Sequence, residues 1–535
     1  MAAEQYLLVG ILLIGAGLAK IAEEYRFPYP IPLIISGIVL GQIFPQQQLI
    51  ESIGIDFIAQ LTLAAVLFYA GLTMNMKELR LSISSVLLLA TLGVMLTSLI
   101  AGVTIGLFVS GIGLTAYLIG AILSPTDPAA LFSVLESGGV RVKKKLFSIL
   151  EGEAVFNDAT AVILVLTVFE PLVVLQLQQD AVFVIIEFLL SMGLGVVIGF
   201  AMAFSVGKFL HVTGTDVDIA ILTATTPIFA YGIGEAVSLV LVGVHPGALA
   251  CVFTGIFMAN AKRIGLDVLP QKSMRGVMKN VSFAFEIVIF IFLGYTLDTV
   301  FLISSPSTVI SGIIVALLVI FIARPAAVFL VTAPNRSLNT KDRFFLSWAG
   351  VKGVASAALA AISVGIITSY EVEGYMEITR NISSIVFIVL MISLVLQGMT
   401  TQYFAKKLGL IEKVDIAEEI SAHRDATRYA LLRLVDMYTE GNVPVDLYTR
   451  MKAELEEEIY KLEDNLRSVI ADRRAREQEL EVREAILSHK LSYLKSEYEG
   501  GRISDVAYED QRSELEAEIE DVMMKLKLAQ EGKRV

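Results

Sequence analysis

Apolar windows of roughly 15–28 residues recur along the chain as far as residue ~405. A backbone inside lipid must satisfy its own N–H and C=O groups, so windows of this length read as membrane-spanning helices. They fall near 6–25, 31–45, 56–75, 83–107, 112–135, 147–169, 182–210, 216–240, 245–260, 278–302, 307–332, 342–369 and 380–405, about thirteen spans in all. With 55% hydrophobic and only 18% charged residues, the chain is too apolar for a soluble protein of its length. The first window, Tyr6 to Ile21, lacks a basic flank and a small-residue cleavage site, so it reads as span 1 and not as a signal peptide.

The connections alternate in charge. Those after spans 3, 5, 7, 9 and 11 carry Lys77 and Arg80; Arg141, Lys143, Lys144 and Lys145; Lys208; Lys262, Arg263, Lys272, Arg275 and Lys279; and Arg336, Lys341 and Arg343. Lys406 and Lys407 follow span 13. The other connections hold Glu51, Glu170, Asp180, Asp298, Glu371, Glu373 and Glu377. Basic loops stay cytoplasmic, which places the N-terminus outside and the C-terminus inside, in a plasma membrane. One missed span would scramble this alternation.

An odd count suits two inverted six-helix repeats joined by a linker helix. Span 5 is interrupted by Ser124-Pro125-Thr126-Asp127-Pro128, and span 12 by Trp348-Ala349-Gly350-Val351-Lys352-Gly353. Each is the fifth span of its half. Proline removes an N–H and glycine loosens the backbone, so both stretches should expose carbonyls and amides at mid-membrane, as broken crossing helices. Asp127 would neutralise the positive end of one half-helix, and Lys352 the negative end of another. The competing reading is a pair of simple proline kinks.

A carboxylate in the bilayer costs at least ~2.5–3.5 kcal/mol, so one held there is functional by default. Span 6 opens on Glu151-Gly152-Glu153-Ala154-Val155-Phe156-Asn157-Asp158. Desolvation disfavours the charged form of a carboxylate, so Asp158 is suited to trade a proton for a cation near neutral pH. That competition suffices for antiport. Hard oxygen ligands suit an alkali cation, and the candidates are Asp158, Asp127, Thr126 and the carbonyls freed by the break. Glu153 shares a helix face with Asn157. Span 11 carries one ionisable residue, Arg324, whose expected partner is Glu153, with Asn157 capping the pair. A structural ion pair without transport chemistry is the alternative. Glu286 in span 10 and Glu187 in span 7 are further candidates: Glu286 sits among Phe283, Phe285 and Phe290 and would pair with a base, and Glu187 would lie near an interface.

Several classes are disfavoured. A single cysteine, Cys251, excludes a disulfide framework, and His211, His245, His423 and His489 show no metal-ligand spacing. No phosphate-binding Gly-x-x-x-x-Gly-Lys-Ser/Thr stretch supports primary pumping. No span holds a nucleophile–base arrangement, so an enzyme is not expected, and no repeated pore-loop filter favours a cation channel. No cofactor and no nucleic-acid partner are called for.

The chain changes character near residue 410, dividing it into a transmembrane domain, 1–410, and a cytoplasmic helical tail, 411–535. The part after Gly409 carries about −10 of the net charge of −12. Two tail stretches align at an offset of 60: Tyr438, Gly441, Tyr448, Glu454-Leu455-Glu456 and Ile459 match Tyr498, Gly501, Tyr508, Glu514-Leu515-Glu516 and Ile519. Each copy reads as helix, glycine turn, helix, with a coiled-coil-like seam. Two helical hairpins, packed on each other or on a second subunit, are expected. They would serve as a solubilising, dimer-supporting appendage or as a sensor of pH or of an unnamed regulatory ligand.

Ser-Pro-Thr-Asp-Pro followed by Glu-Gly-Glu-Ala-Val-Phe-Asn-Asp-Ala-Thr-Ala-Val-Ile-Leu resembles the paired signature of the cation/proton antiporter-1 family, the NhaP-type and sodium/proton-exchanger group. Residues 285–294, 323–325 and 348–360 resemble its later motifs in the same order, and the likeness covers about residues 5–405. The resemblance implies a homodimer with a scaffold domain and a moving core domain. It implies that Asp158 carries the ion and the proton, that Thr126 and Asp127 line the crossing, and that Glu153 and Arg324 pair with Asn157. Asparagine before the aspartate implies electroneutral exchange of one Na+ (or Li+) for one H+ by alternating access. Two departures leave K+/H+ exchange open: Tyr69 stands where archaeal relatives have a glutamate, and Ala154 where many have a serine.

Overall fold

The computed structural model describes residues 2–25, 27–43, 54–109, 112–127, 142–174, 180–213, 219–241, 243–261, 271–370, 374–411 and 416–530. Pro128, the rest of span 5 and Arg141 lie outside the described residues, as do Lys262, Arg263, Glu51, Glu371 and Glu373 of the loop reading. The described chain is nearly all helical; its one extended pairing is an isolated antiparallel bridge between Val142 and Ile411.

Contacts separate residues Met1–Ile411 from Glu412–Val535 as two compact units. The first unit begins with α1 (Ala2–Glu24), α2 (Pro30–Ile43) and α3 (Ile55–Thr73). Next come α4 (Met76–Leu88 and Val94–Phe108, joined by a π-helical turn Leu89–Gly93), α5 (Thr115–Ile122) and α6 (Lys144–Ile163, continued through the π turn Leu164–Phe169 to Glu170–Val174). Then follow α7 (Ala181–Thr213), α8 (Ile219–Ser238), α9 (Gly247–Ala259), α10 (Gln271–Tyr295) and the short α11 (Thr299–Ser304). The last four are α12 (Pro306–Leu318 and Arg324–Thr332 around the π turn Val319–Ala323), α13 (Thr340–Trp348), α14 (Val354–Ser369) and α15 (Tyr375–Ser393 and Met399–Lys407 around the π turn Leu394–Gly398).

Eight of the described helices are long and apolar enough to cross a membrane, and four shorter apolar ones accompany them. Eight is fewer than the thirteen spans expected from sequence, and the difference has local causes. Spans 2 and 9 are only 14 and 13 residues long as α2 and α9. Span 12 is divided into α13 and α14, span 5 is described only through α5 and its break, and span 1 counts only through the shorter apolar stretch Gly10–Ala22 of α1.

Two groups of helices pack mainly within themselves: α1–α3 with α7–α10, and α4–α6 with α12–α15, while α14 also lies along α3. The first group is drawn together by glycines. A Cβ on Gly37 of α2 would run into the Ile291 carbonyl of α10, and one on Gly294 into the Ile34 carbonyl. The pair α3 and α9 is built the same way, with Gly71 against Val252 and Gly255 against Phe68. Small residues let helix backbones meet closely where lipid provides no hydrophobic drive. Elsewhere the surface is apolar: Phe183, Leu189 and Val197 of α7 and Phe229 of α8 are exposed.

The second unit holds α16 (Ile416–Thr439), α17 (Val445–Glu499) and α18 (Asp505–Gln530). Both turns end a helix in the same way. Gly441 and Gly501 take positive φ (79° and 68°), and the next residue's N–H reaches back to Met437 O (2.9 Å) or Glu497 O (3.0 Å). This is a Schellman closure, which glycine permits at no steric cost. Tyr438 stacks on Tyr448 at 4.2 Å and Tyr498 on Tyr508 at 4.3 Å. The expected hairpins therefore share a helix: α17 runs unbroken for 55 residues, pairing with α16 on one stretch and α18 on another, instead of forming two separate packed hairpins.

Candidate functional site

The two breaks expected from sequence meet and satisfy each other. Helix α5 ends at Ile122, and Pro125 brings no N–H with which to continue it, leaving carbonyls without helical partners. The Lys352 ammonium, 1% exposed, donates to two of them, Pro125 O at 3.1 Å and Ser124 O at 3.4 Å. On the facing segment, Gly353 precedes α14 with a non-helical backbone (φ −147°, ψ −145°), so the first N–H groups of α14 need acceptors. Val354 N–H donates to Asp127 Oδ2 at 3.4 Å. Asp127 N–H in turn donates to Val351 O at 2.7 Å. Each break thus supplies the charge that suits the helix end of the other.

The approach leaves no room at residue 353, where a Cβ would overlap the Asp127 carboxylate. Gly353→Ala is expected to destabilise the protein by about 1–3 kcal/mol, as forced overpacking does. Gly276→Ala, where nothing lies within 4 Å, should leave the thermal midpoint unchanged or slightly raised. Thermal unfolding of the two purified variants checks the pair, and equal midpoints would show that the breaks do not touch.

Helix α6 brings the acidic residues to this crossing. Glu153 and Arg324 form a bidentate pair, Nη1 to Oε1 at 2.5 Å and Nη2 to Oε2 at 2.9 Å, with side chains 0% and 3% exposed. The π turn Val319–Ala323 immediately precedes Arg324, and a wider turn of this kind redirects the side chains that follow it. Asn157 does not cap the pair. Its amide N–H donates to Thr126 Oγ1 at 2.8 Å, tying α6 to the break of span 5, and its Oδ1 has no hydrogen-bond partner in the protein. The bidentate geometry already occupies both Glu153 oxygens, and the Thr126 hydroxyl is the acceptor left within reach. Asp158, the next residue, is buried, and its Oδ1 is likewise unpartnered. The charges that act on it are Asp127, Lys352 and Glu153.

Thr126 Oγ1 and Asp127 Oδ2 are engaged, whereas the adjacent residues Asn157 and Asp158 each have an Oδ1 to offer. Glu286 stands apart from these contacts. Its partner is the Tyr29 hydroxyl, at 2.5 Å, and not the base expected from sequence. Glu187 belongs to another cluster: it lies against Gly243 and feels His245, which pairs with Glu235 at 2.8 Å.

Two residues missed in the sequence hold the second break in place. Ser393 Oγ accepts from Lys352 N–H at 2.9 Å and donates to Gln397 Oε1 at 2.6 Å, and Gln397 Nε2 donates to Trp348 O at 2.8 Å. Both are wholly buried, and Gln397 lies in the π turn Leu394–Gly398. The signal was a glutamine inside the apolar run Leu394-Val395-Leu396-Gln397-Gly398, where a polar side chain needs a reason.

A family model for the transmembrane sodium/hydrogen exchanger matches residues 8–407. The K(+)/H(+) antiporter NhaP2 of Shewanella sp. (strain MR-4) is 27% identical over 417 residues, covering 76% of this chain and 67% of that one. The Na(+)/H(+) antiporter ApNhaP of Aphanothece halophytica is 28% identical over 475 residues, covering 84% and 82%. Among solved structures, the sodium proton antiporter MjNhaP1 from Methanocaldococcus jannaschii at pH 8 is similar at 25% identity with a TM-score of 0.66, covering 74% of this chain and 99% of that one.

Proposed function

The chain belongs to the sodium/hydrogen exchanger family, whose members are membrane antiporters and not enzymes, and we propose that it exchanges one monovalent cation for one proton through Asp158. The observation that carries this reading is the charge balance of the crossing. Asp127, Glu153 and Asp158 face Arg324 and Lys352, so the ionised site has one negative charge in excess. A bound Na+ or a bound proton brings it to neutrality equally well. Burying net charge in lipid is costly, so the neutral, loaded forms are the ones suited to cross. Exchange is then electroneutral and one for one, with both cargoes competing for Asp158 and with Asn157 Oδ1 as a further cation ligand.

Alternating access suits the two helix groups, with α4–α6 and α12–α15 moving against the rest as a core against a scaffold. The inverted six-helix repeats are supported by the π turns. Those of spans 4 and 6 recur in spans 11 and 13 at one common interval, Leu89 to Val319 and Leu164 to Leu394. The glycine-lined pair of spans 2 and 10 likewise has its counterpart in spans 9 and 3. The basic-loop pattern supports an outside N-terminus and a cytoplasmic tail, residues 411–535, in a plasma membrane. Homodimerisation and a regulatory or solubilising role for the tail complete the reading. A channel fits less well: it needs carbonyls open to the ion path, and those of Ser124 and Pro125 are held by Lys352.

Sodium or lithium is the first choice of cation and potassium the alternative, and the two relatives' names divide in the same way. Proton flux in proteoliposomes, read with a pH dye after adding Na+, Li+ or K+ separately, tests the choice. A Na+- and Li+-driven response is expected, unchanged by an imposed membrane potential. A response to K+ alone selects the alternative, and a response to none of the three refutes the exchange.

A further inference from the structure

Glu286 is a membrane-embedded carboxylate that the crossing does not use. It lies well inside α10, followed by a run, Ile287 to Tyr295, that is buried throughout, yet Glu286 itself remains partly exposed. It therefore sits where the closed packing of α10 begins, with part of its side chain left uncovered by protein. Tyr29, at the start of α2, donates its hydroxyl to Oε2 at 2.5 Å. The tyrosine ring is fixed edge-on against Phe283 at 5.7 Å and Phe290 at 6.3 Å, on either side of Glu286 along α10. The glycine crossing at Gly37 and Gly294 fixes α2 on α10 a few residues further along. The carboxylate is thus mounted rigidly on the scaffold group of helices.

Its surroundings are negative. Asp127, on the core side, is the charge that acts on it most, and no lysine or arginine among the described residues forms an ion pair with it. Arg275, the base near Tyr69, spends its Nε–H on Leu72 O at 2.9 Å. One oxygen of Glu286 is engaged by Tyr29 and the other is left to accept. A carboxylate in this position needs a cation or a proton beside it, and a single carboxylate with a phenol oxygen matches a monovalent, partly hydrated cation better than a divalent one.

We propose that Glu286, held by Tyr29, is an accessory subsite that takes the monovalent cation on its way to Asp158. The subsite rests on the exchange reading above. Its part is to concentrate the cation beside the Asp127 end of the crossing and to exchange some of the cation's water for carboxylate oxygen. It adds binding on the approach without taking part in the translocation step, so its removal should weaken cation affinity and spare the maximal rate.

The test uses the full chain in proteoliposomes, with initial rates measured against cation concentration for wild type, Glu286→Gln, Glu286→Asp and Tyr29→Phe. Glu286→Gln is expected to raise the cation KM about 10-fold with the maximal rate within about 2-fold of wild type. Tyr29→Phe should raise KM about 3-fold, and Glu286→Asp should recover most of the lost affinity. The KM shift should persist when an impermeant salt raises ionic strength, which separates contact with the cation from long-range steering. An unchanged KM in Glu286→Gln overturns the proposal, and so does a fall in maximal rate alone, which would mark a merely structural role. Wild-type exchange that Asp158→Asn abolishes, together with an unchanged KM in Glu286→Gln, would sink the subsite and leave the exchange reading standing. Absence of wild-type exchange would sink both.

Discussion

Asp158→Asn is expected to abolish cation-driven proton flux, by at least about 100-fold. The substitution keeps the volume of the side chain and removes its charge. With a neutral amide at position 158 the crossing is already balanced without cargo, so neither a cation nor a proton has an excess charge to offset. Removing one member of a buried charge pair costs about 3–5 kcal/mol, and each 1.4 kcal/mol is a factor of ten in affinity. The fold should survive, because Asp158 Oδ1 makes no hydrogen bond within the protein that the amide would break. Size-exclusion behaviour and thermal midpoint close to wild type, with no flux under any of the three cations, are the expected pattern. Exchange at full rate in Asp158→Asn would show that competition for this carboxylate is not the mechanism.

The second large effect falls on stability. Glu153→Leu or Arg324→Leu strands the opposite charge in a site where both side chains are almost fully buried, and the expected loss is about 3–5 kcal/mol for either. The double variant should recover much of that loss, because two apolar side chains leave no charge uncompensated. A double-mutant cycle of thermal midpoints therefore reads out the pairing itself. If each single variant melts like wild type, the bidentate contact is not what holds α6 to α12. If the double variant is stable but inactive, the pair also sets the charge balance or the position of Asp158, and its role goes beyond scaffolding.

The parts of this site that could be read from the sequence are those in which composition forces the answer. A carboxylate, a lysine and an arginine inside apolar spans have few ways to be compensated. The Glu153–Arg324 pair, 171 residues apart, and a helix-end charge at each break followed from charge alone, but that each break serves the other did not. Hydrogen-bond choices among neutral groups did not follow. Asn157 has two neighbours that could take its amide, and only the approach of span 5 selects Thr126. Glu286 was expected to seek a base, but the partner comes from a tyrosine 257 positions earlier whose place depends on how α2 crosses α10. Ser393 serves a backbone N–H, which no side-chain motif announces, whereas Gln397 stands out as a polar residue in an apolar run whose partners the sequence does not name. In the second unit the glycine turns were visible, but the continuity of α17 was not, since a helix-favouring stretch does not show whether its neighbours will bend it.

The mutual compensation of the two breaks has a consequence for how the protein is made. Lys352 is 227 residues later in the chain than Pro125, whose carbonyl it satisfies. At 5–20 residues per second, about 10–45 s of translation separate them. During that interval the first break has already left the ribosome while its counter-charge does not yet exist. The half-made protein must keep those carbonyls hydrated or borrow another donor, so the crossing is among the last features to mature. Chains truncated before residue 352 should then be cleared by membrane quality control faster than chains truncated just after α14.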